Sequence, residues 1–274
     1  MLTKSKKQKA SDFLRLFLLL VIIPLLCLSC VSQKLGGTIE EKTGTISNSN
    51  IQYYRYQNSF PNEQLVYHIV TVPLDDPCLE IVATPVQSNI VSGQTTLKFA
   101  QENNLLLALN ATPFSYSNGI LSATRTIVGL YVNEGKEYSA GIEKYAALCF
   151  TKDNKAFIVN SQLDPLISDA WYAFGGFWTI LENNTIIQFK EIKDARTAVG
   201  INPNGTELYI LTVEKNSKSL GLNYMDCAKI LQDCGATKAI QLDGGGSTSL
   251  IIGKNKSSSV VSNRKVAISF GIKN

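Results

Sequence analysis

Apolar and polar positions change period several times along the 274-residue chain, and each change marks an element. An uncharged apolar run from Leu16 to Leu28 comes first, followed by a polar stretch rich in Gly, Ser, Thr and Asn that lasts to about residue 50. Strand-like patterning begins at Ile51 with Tyr53, Tyr54 and Tyr56. It continues through Leu65 to Val72 and resumes at Leu79 to Ala83 after the turn Asp75-Asp76-Pro77. Thr95 to Asn104, with a hydroxyl at its start and Asn at its end, predicts a short helix that leads into the apolar strand Leu105 to Leu109. Three hairpin-like pairs follow: Val128 to Val132 turning at Asn133-Glu134-Gly135, Ala147 to Phe150 turning at Asp153-Asn154, and Ala198 to Ile201 turning at 202–205 into Leu208 to Val213. The clearest helix is Asn223 to Gly235. Asn223 caps it, Cys227, Ala228, Leu231 and Cys234 form its apolar stripe, and Gly235 ends it. Strand Lys238 to Leu242, a polar loop from Lys254 to Ser262 and a closing strand from Val266 to Ile272 complete the chain. Many short strands with few helices predict an α+β fold with mixed β-sheets.

Composition adds a leader to this picture. Lys4, Lys6, Lys7, Lys9 and Arg15 accompany an apolar run of about 13 residues, shorter than the ~20 of a spanning helix. That is the layout of a secretory signal. It closes on Cys27-Leu28-Ser29-Cys30, which resembles a bacterial lipoprotein signal with Cys30 as the lipidated residue. The expected organisation is a signal over 1–29, lipidated Cys30 and a flexible tether over 30–50, and one domain over 51–274. Its expected place is the bacterial cell envelope, membrane-anchored through the lipid, or else outside the cell by simple secretion. The leader holds five of the 26 basic and one of the 22 acidic residues, so 21 of each sign remain beyond it. A neutral chain without a basic stripe excludes a nucleic-acid surface.

Cysteine and histidine usage narrows the chemistry. Cys227 and Cys234 lie about 10 Å apart along one helix, beyond disulfide reach, and read as buried small residues. Cys78 and Cys149 remain as a pair that a disulfide could join. There is no Cys-x-x-Cys, and His68 is the single histidine, which disfavours a zinc site. His68 alternates with apolar neighbours and reads as a satisfied strand histidine.

Ile240 to Leu250 carries the densest chemistry: an apolar run delivers Asp243 into Gly244, Gly245 and Gly246, then Ser247, Thr248 and Ser249. Glycines let backbone N–H groups approach a ligand, while Asp243 supplies charge and the hydroxyls supply donors. No Lys follows as in a phosphate loop, no third glycine completes a dinucleotide fingerprint, and no Gly-x-Ser-x-Gly elbow is present. Asn110 ends a buried strand, where α/β proteins place ligands or cap a turn. Arg125-Thr126-Ile127-Val128-Gly129 and Arg196-Thr197-Ala198-Val199-Gly200 share a pattern that reads as a repeated hairpin unit or as coincidence.

Leu242 to Ser247, preceded by a helix and by Asp194-Ala195-Arg196-Thr197-Ala198-Val199-Gly200-Ile201, resembles the phosphodiester glycosidase domain family, in order from about Gln64 to the C-terminus. The resemblance implies hydrolysis of a glycosidic bond to phosphate in an N-acetylglucosamine-1-phosphodiester-like substrate. On that reading Arg196 grips the phosphate with its planar fork, Asp243 and secondarily Glu214 act at the anomeric carbon, and Asn110 and Thr197 contact substrate. Gly244, Gly245, Gly246 and Ser247 make the floor, with Gly175 and Gly176 in a matching glycine pair. The chain departs from the family at Ala111, Thr112 and Pro113, and at Phe177-Trp178 where proline is common. No cofactor is implied, and no ligand cluster announces a divalent cation. A carbohydrate phosphate and the membrane are the expected partners. Alternatives are a structural pairing of Arg196 with Asp194 or Asp243, a non-catalytic glycan-binding surface lipoprotein, and a serine hydrolase using Ser247 with His68.

Overall fold

The computed structural model describes residues 42–46, 49–59, 64–117, 119, 122–217, 219–253 and 260–274. The expected leader, Cys30 and the expected tether up to residue 41 lie outside the described residues, as does most of the loop from Lys254. Lys42–Thr45, by contrast, pair with the next strand and Ile46 is buried in the core, so this part is not a flexible tether. The protein is mostly β-sheet with two α-helices among the described residues. The largest sheet runs β1 (Lys42–Thr45), β2 (Gln52–Ser59), β3 (Gln64–Pro73), β17 (Glu207–Val213), β16 (Arg196–Ile201), β18 (Lys238–Gln241), β14 (Thr179–Glu182) and β15 (Thr185–Ile186). A five-stranded sheet runs β10 (Lys136–Ser139), β9 (Tyr131–Asn133), β13 (Tyr172–Gly175), β11 (Ala147–Phe150) and β12 (Ala156–Val159). A four-stranded sheet runs β19 (Leu250–Ile252), β6 (Leu107–Asn110), β20 (Ser269–Lys273) and β4 (Glu80–Ala83), and a three-stranded one β5 (Ile90–Ser92), β8 (Thr124–Ile127) and β7 (Phe114–Tyr116). The helices are α1 (Thr96–Glu102) and α2 (Tyr224–Cys234).

Alternation in the central strands explains the layering. Val199 and Ile201 of β16, Leu208 and Ile210 of β17, and Val70 and Val72 of β3 turn inward to meet Leu107, Leu109, Phe150, Phe174 and Phe270. Their neighbours Ala198, Tyr209, Leu211 and Ile69 turn outward onto Cys227, Ala228 and Leu231 of α2. Phe99 and Ala100 of α1 cover the far side of the four-stranded sheet at Ala108 and Ile251. The layers are therefore α2, the large sheet, the smaller sheets, and α1.

Every pairing between these strands is antiparallel, so the sheets are not mixed. Short reversing connections join consecutive pairs such as β9 with β10 and β16 with β17, and longer connections bring the other pairs together with the same antiparallel sense. The crossover through α2 sets β18 beside β16 rather than β17, which also leaves it antiparallel. The Val128–Val132 run breaks at Gly129, whose φ of 91° separates β8 from β9. Arg125 consequently lies in the small sheet, paired through β5 and β7, and is not part of a hairpin repeated at Arg196. Cys78, Cys149, Cys227 and Cys234 are all free thiols.

Candidate active site

The glycine turn is stitched to β6 before any ligand is considered. β18 ends at Gln241, and the Asp243 amide donates to Ala111 O at 2.9 Å. Asn110, buried at the end of β6, donates through Nδ2 to Asp243 O at 2.6 Å. Its Oδ1 accepts from Thr197 Oγ1 at 2.8 Å and from the Ser249 amide at 2.9 Å. Asn110 and Thr197 thus tie β6, β16 and both ends of the turn together. Gly245, at φ 57°, opens a 3-10 turn to Ser247 and donates its amide to Ala195 O at 2.9 Å. An L side chain is strained in that left-handed region, so glycine suits the position.

Burial lifts the Asp243 carboxyl to about 6, against a Ser247 hydrogen bond, the Gly244 amide at 3.0 Å and the charge of Arg264. Arg264 is an exposed residue but directs Nη1 to Ser247 Oγ at 3.4 Å. A Cβ on Gly246 would collide with its guanidinium, so that glycine admits the cation to the turn. Ser262 clamps the strap that carries Arg264, donating to Gly246 O at 2.6 Å and accepting at 3.0 Å from the Arg264 amide. Arg125 holds the strap's other end through Lys265 O at 3.2 Å. Thr112 and Thr248, both buried, have hydroxyls that make no hydrogen bond among the described residues.

Arg196 is built differently from the expected phosphate fork. It lies on the α2 side of β16, with Nε donating to Leu222 O at 3.0 Å, Nη2 to Ile192 O at 2.6 Å, and its guanidinium 4.3 Å from the centre of the Tyr224 ring. Thr197 points to the opposite face, towards Asn110. The cation facing Asp243 is therefore Arg264, and Arg196 fastens the 192–194 and 222–224 segments beside the turn. Asp194 pairs with Lys215 at 3.0 Å.

Glu214 follows β17 at the same end of the sheet. Its carboxylate meets His68 Nε2 at 2.8 Å, and that hydrogen bond first, then the electrostatic influence of His68 and Arg55, hold it below the usual carboxylate range despite burial. Gly175 and Gly176 do not join the floor of the turn. A Cβ on Gly175 would strike Gln162 and Leu130, and one on Gly176 would strike Gln241 O, so both glycines are explained by close sheet packing. Phe177 and Trp178 belong to a ring cluster with Tyr145, Phe189 and Tyr224 in which Trp178 is 39% exposed. Among the described residues no three His, Cys, Asp or Glu side chains gather to hold a metal ion.

Two residues escape a reading by motif. Arg264 sits in a polar loop whose local pattern gives it no distinction, and only its distance from Gly246 marks it. Gln162 is buried with four hydrogen bonds, to the amides of Leu130 and Ile142 and to the carbonyls of Ala146 and Gly176. The single available hint was an amide side chain in a short loop between strands.

The sequence profile of the phosphodiester glycosidase family matches residues 103–273. A prophage-derived uncharacterized protein of Bacillus subtilis strain 168, YomE, is 30% identical over 172 residues, covering 57% of this chain. The chain spans 25% of that relative's length. Among solved structures, a hypothetical protein from Synechocystis superposes with a TM-score of 0.64 at 14% identity, over 85% of this chain and 63% of that one. The catalytic domain of zebrafish N-acetylglucosamine-1-phosphodiester alpha-N-acetylglucosaminidase, auto-inhibited by its pro-peptide, superposes at 0.62 and 19% identity, over 86% of this chain and 88% of that one. At these identities the two likenesses show a shared fold.

Proposed function

The chain belongs to the phosphodiester glycosidase family, and from that premise we propose that it hydrolyses the glycosidic bond to phosphate in an N-acetylglucosamine-1-phosphodiester-like envelope polysaccharide or glycoconjugate. The observation that carries this reading is Asp243, held at the head of a glycine turn with a carboxyl near 6 and faced by Ser247 and Arg264. A departing phosphate monoester dianion also takes up a proton near 6, so Asp243 is matched to share a proton with it. Arg264 stabilises the charge that collects on the leaving oxygens. Asn110, Thr197 and Arg196 act on substrate indirectly, by fixing the turn, and water is the only co-reactant the reaction needs. We also assign the chain to the envelope through a lipidated Cys30.

Purified full-length protein is incubated with N-acetylglucosamine-1-phosphate diesters, and free sugar is measured. Release that Asp243→Asn and Arg264→Ala each reduce by about 10²-fold or more supports the reading. No release from a broad diester panel sinks it. The exposed ring cluster around Trp178 favours the second reading, a surface protein that binds glycans without cleaving them. In that case sugars bind equally well to wild type and to Asp243→Asn.

A further inference from the structure

We propose that Tyr53, His68 and Glu214 form a hydrogen-bonded chain in which His68 is a positioning residue and Glu214 removes the proton from the attacking water, an inference that rests on the hydrolase reading above. His68 lies before the segment that the family profile matches. Its place follows from strand register: on β3 it stands between Arg55 of β2 and Thr212 of β17. The ring is buried, with Nδ1 2.8 Å from the Tyr53 hydroxyl and Nε2 2.8 Å from Glu214 Oε1. The Tyr53 and His68 rings also stack, with centroids 5.9 Å apart.

Oxygen partners at both nitrogens select a tautomer. When Tyr53 donates to Nδ1, the ring hydrogen sits on Nε2 and points at the Glu214 carboxylate. Burial pushes the Tyr53 hydroxyl up to about 12, so it stays a donor across the neutral range. The charged and titratable groups that face Glu214 are His68 on β3 and Arg55 on β2, with Tyr53 behind His68. The Nε2 hydrogen of His68 and the Arg55 guanidinium both favour a charged carboxylate.

A histidine needed only for packing does not require a partner that reaches water. Glu214 does reach it: its side chain is 30% exposed, at the end of the sheet that carries the glycine turn. Val213 pairs with Arg196, which sets Glu214 beside Ala195, and Ala195 O accepts from the Gly245 amide. Glu214 and the turn therefore flank one residue, their backbones about 10 Å or two strand spacings apart. Carboxyl groups carried on backbones so spaced can stand on either side of a sugar and a water.

The opposed environments divide the labour, since Asp243 is pushed up and Glu214 down. Glu214 takes a proton from water as the water oxygen bonds to the anomeric carbon. The bond from that carbon to the phosphate oxygen breaks, its electron pair leaves with the phosphate, and Asp243 gives that oxygen its proton. Glu214 then returns its proton to solvent and Asp243 regains one.

The full-length protein, His68→Gln and Tyr53→Phe are compared on an N-acetylglucosamine-1-phosphate diester across pH. His68→Gln lowers kcat by about 10²-fold with KM nearly unchanged, and the acidic limb of kcat/KM moves to higher pH as Glu214 loses its partner. Tyr53→Phe, which removes one hydroxyl and keeps the ring, moves both in the same direction by less. A folded His68→Gln with the parental kcat and acidic limb overturns the proposal. Carbon-13 NMR of the Glu214 carboxyl provides a readout independent of turnover, and its titration midpoint rises in His68→Gln. If wild type cleaves no diester, the hydrolase reading fails by itself. An unmoved Glu214 midpoint overturns the chain whatever the turnover.

Discussion

A carboxyl lifted to about 6 by burial is ionised at neutral pH at some expense to the fold. The folded value of Asp243 is above the ordinary 3.8, so its contribution to stability is present below that pH and lost as pH rises through about 6. Asp243→Asn keeps the acceptor for the Gly244 amide and removes the charge. It is expected to raise stability at pH 7 by on the order of 1–2 kcal/mol, with no gain at pH 3.5, while sugar release falls. Urea melts at the two pH values check this, and a less stable variant at pH 7 would mean that Arg264 and Ser247 outweigh burial. At this scale the sequence was partly legible. The turn of Asp243 and the glycines was legible as a turn, because Gly245 takes a left-handed φ that glycine alone adopts without strain. The fate of Arg196 did not, since the pattern of β16 states that Arg196 and Thr197 face opposite ways without saying which face holds the turn.

Among the elements, α2 was the most legible. Asn223 caps it through the Asp226 amide at 2.8 Å and Gly235 closes it at φ 113°, as its sequence predicts. Ile230 is buried in place of Cys234, which is half-buried, because the sheet below the helix is wider than one stripe. Packing, more than capping, holds the helix on β16 and β17. Leu231→Ala is expected to cost about 2–5 kcal/mol and Asn223→Ala about 1 kcal/mol, by urea denaturation. The opposite order would mean that the ends, not the buried face, keep α2 in place. Pairing direction was less legible, because alternation reports which side chains share a face and carries no information about which strand lies alongside.

Across the whole molecule, burial decides which thiols can react. Burial raises the Cys149 thiol and pushes Cys227 and Cys234 up to about 12, while Cys78 lies exposed. Native protein treated with a thiol reagent at pH 7.5 is expected to be modified at Cys78 well before the other three. Mapping of labelled peptides checks this, and early modification of Cys227 or Cys234 would show that α2 opens away from the sheet. By itself the sequence determined the many-stranded character of the chain, the second helix, the glycine turn with Asp243, and equal numbers of acidic and basic residues beyond residue 29. Each of these is written in local period, capping or composition. The tertiary structure alone decided that Arg264 rather than Arg196 faces the turn, that Asn110 is a pin, and that His68 meets Glu214 across 146 positions. Those relations join residues from different strands, and they exist only once register and layering have brought the strand ends together.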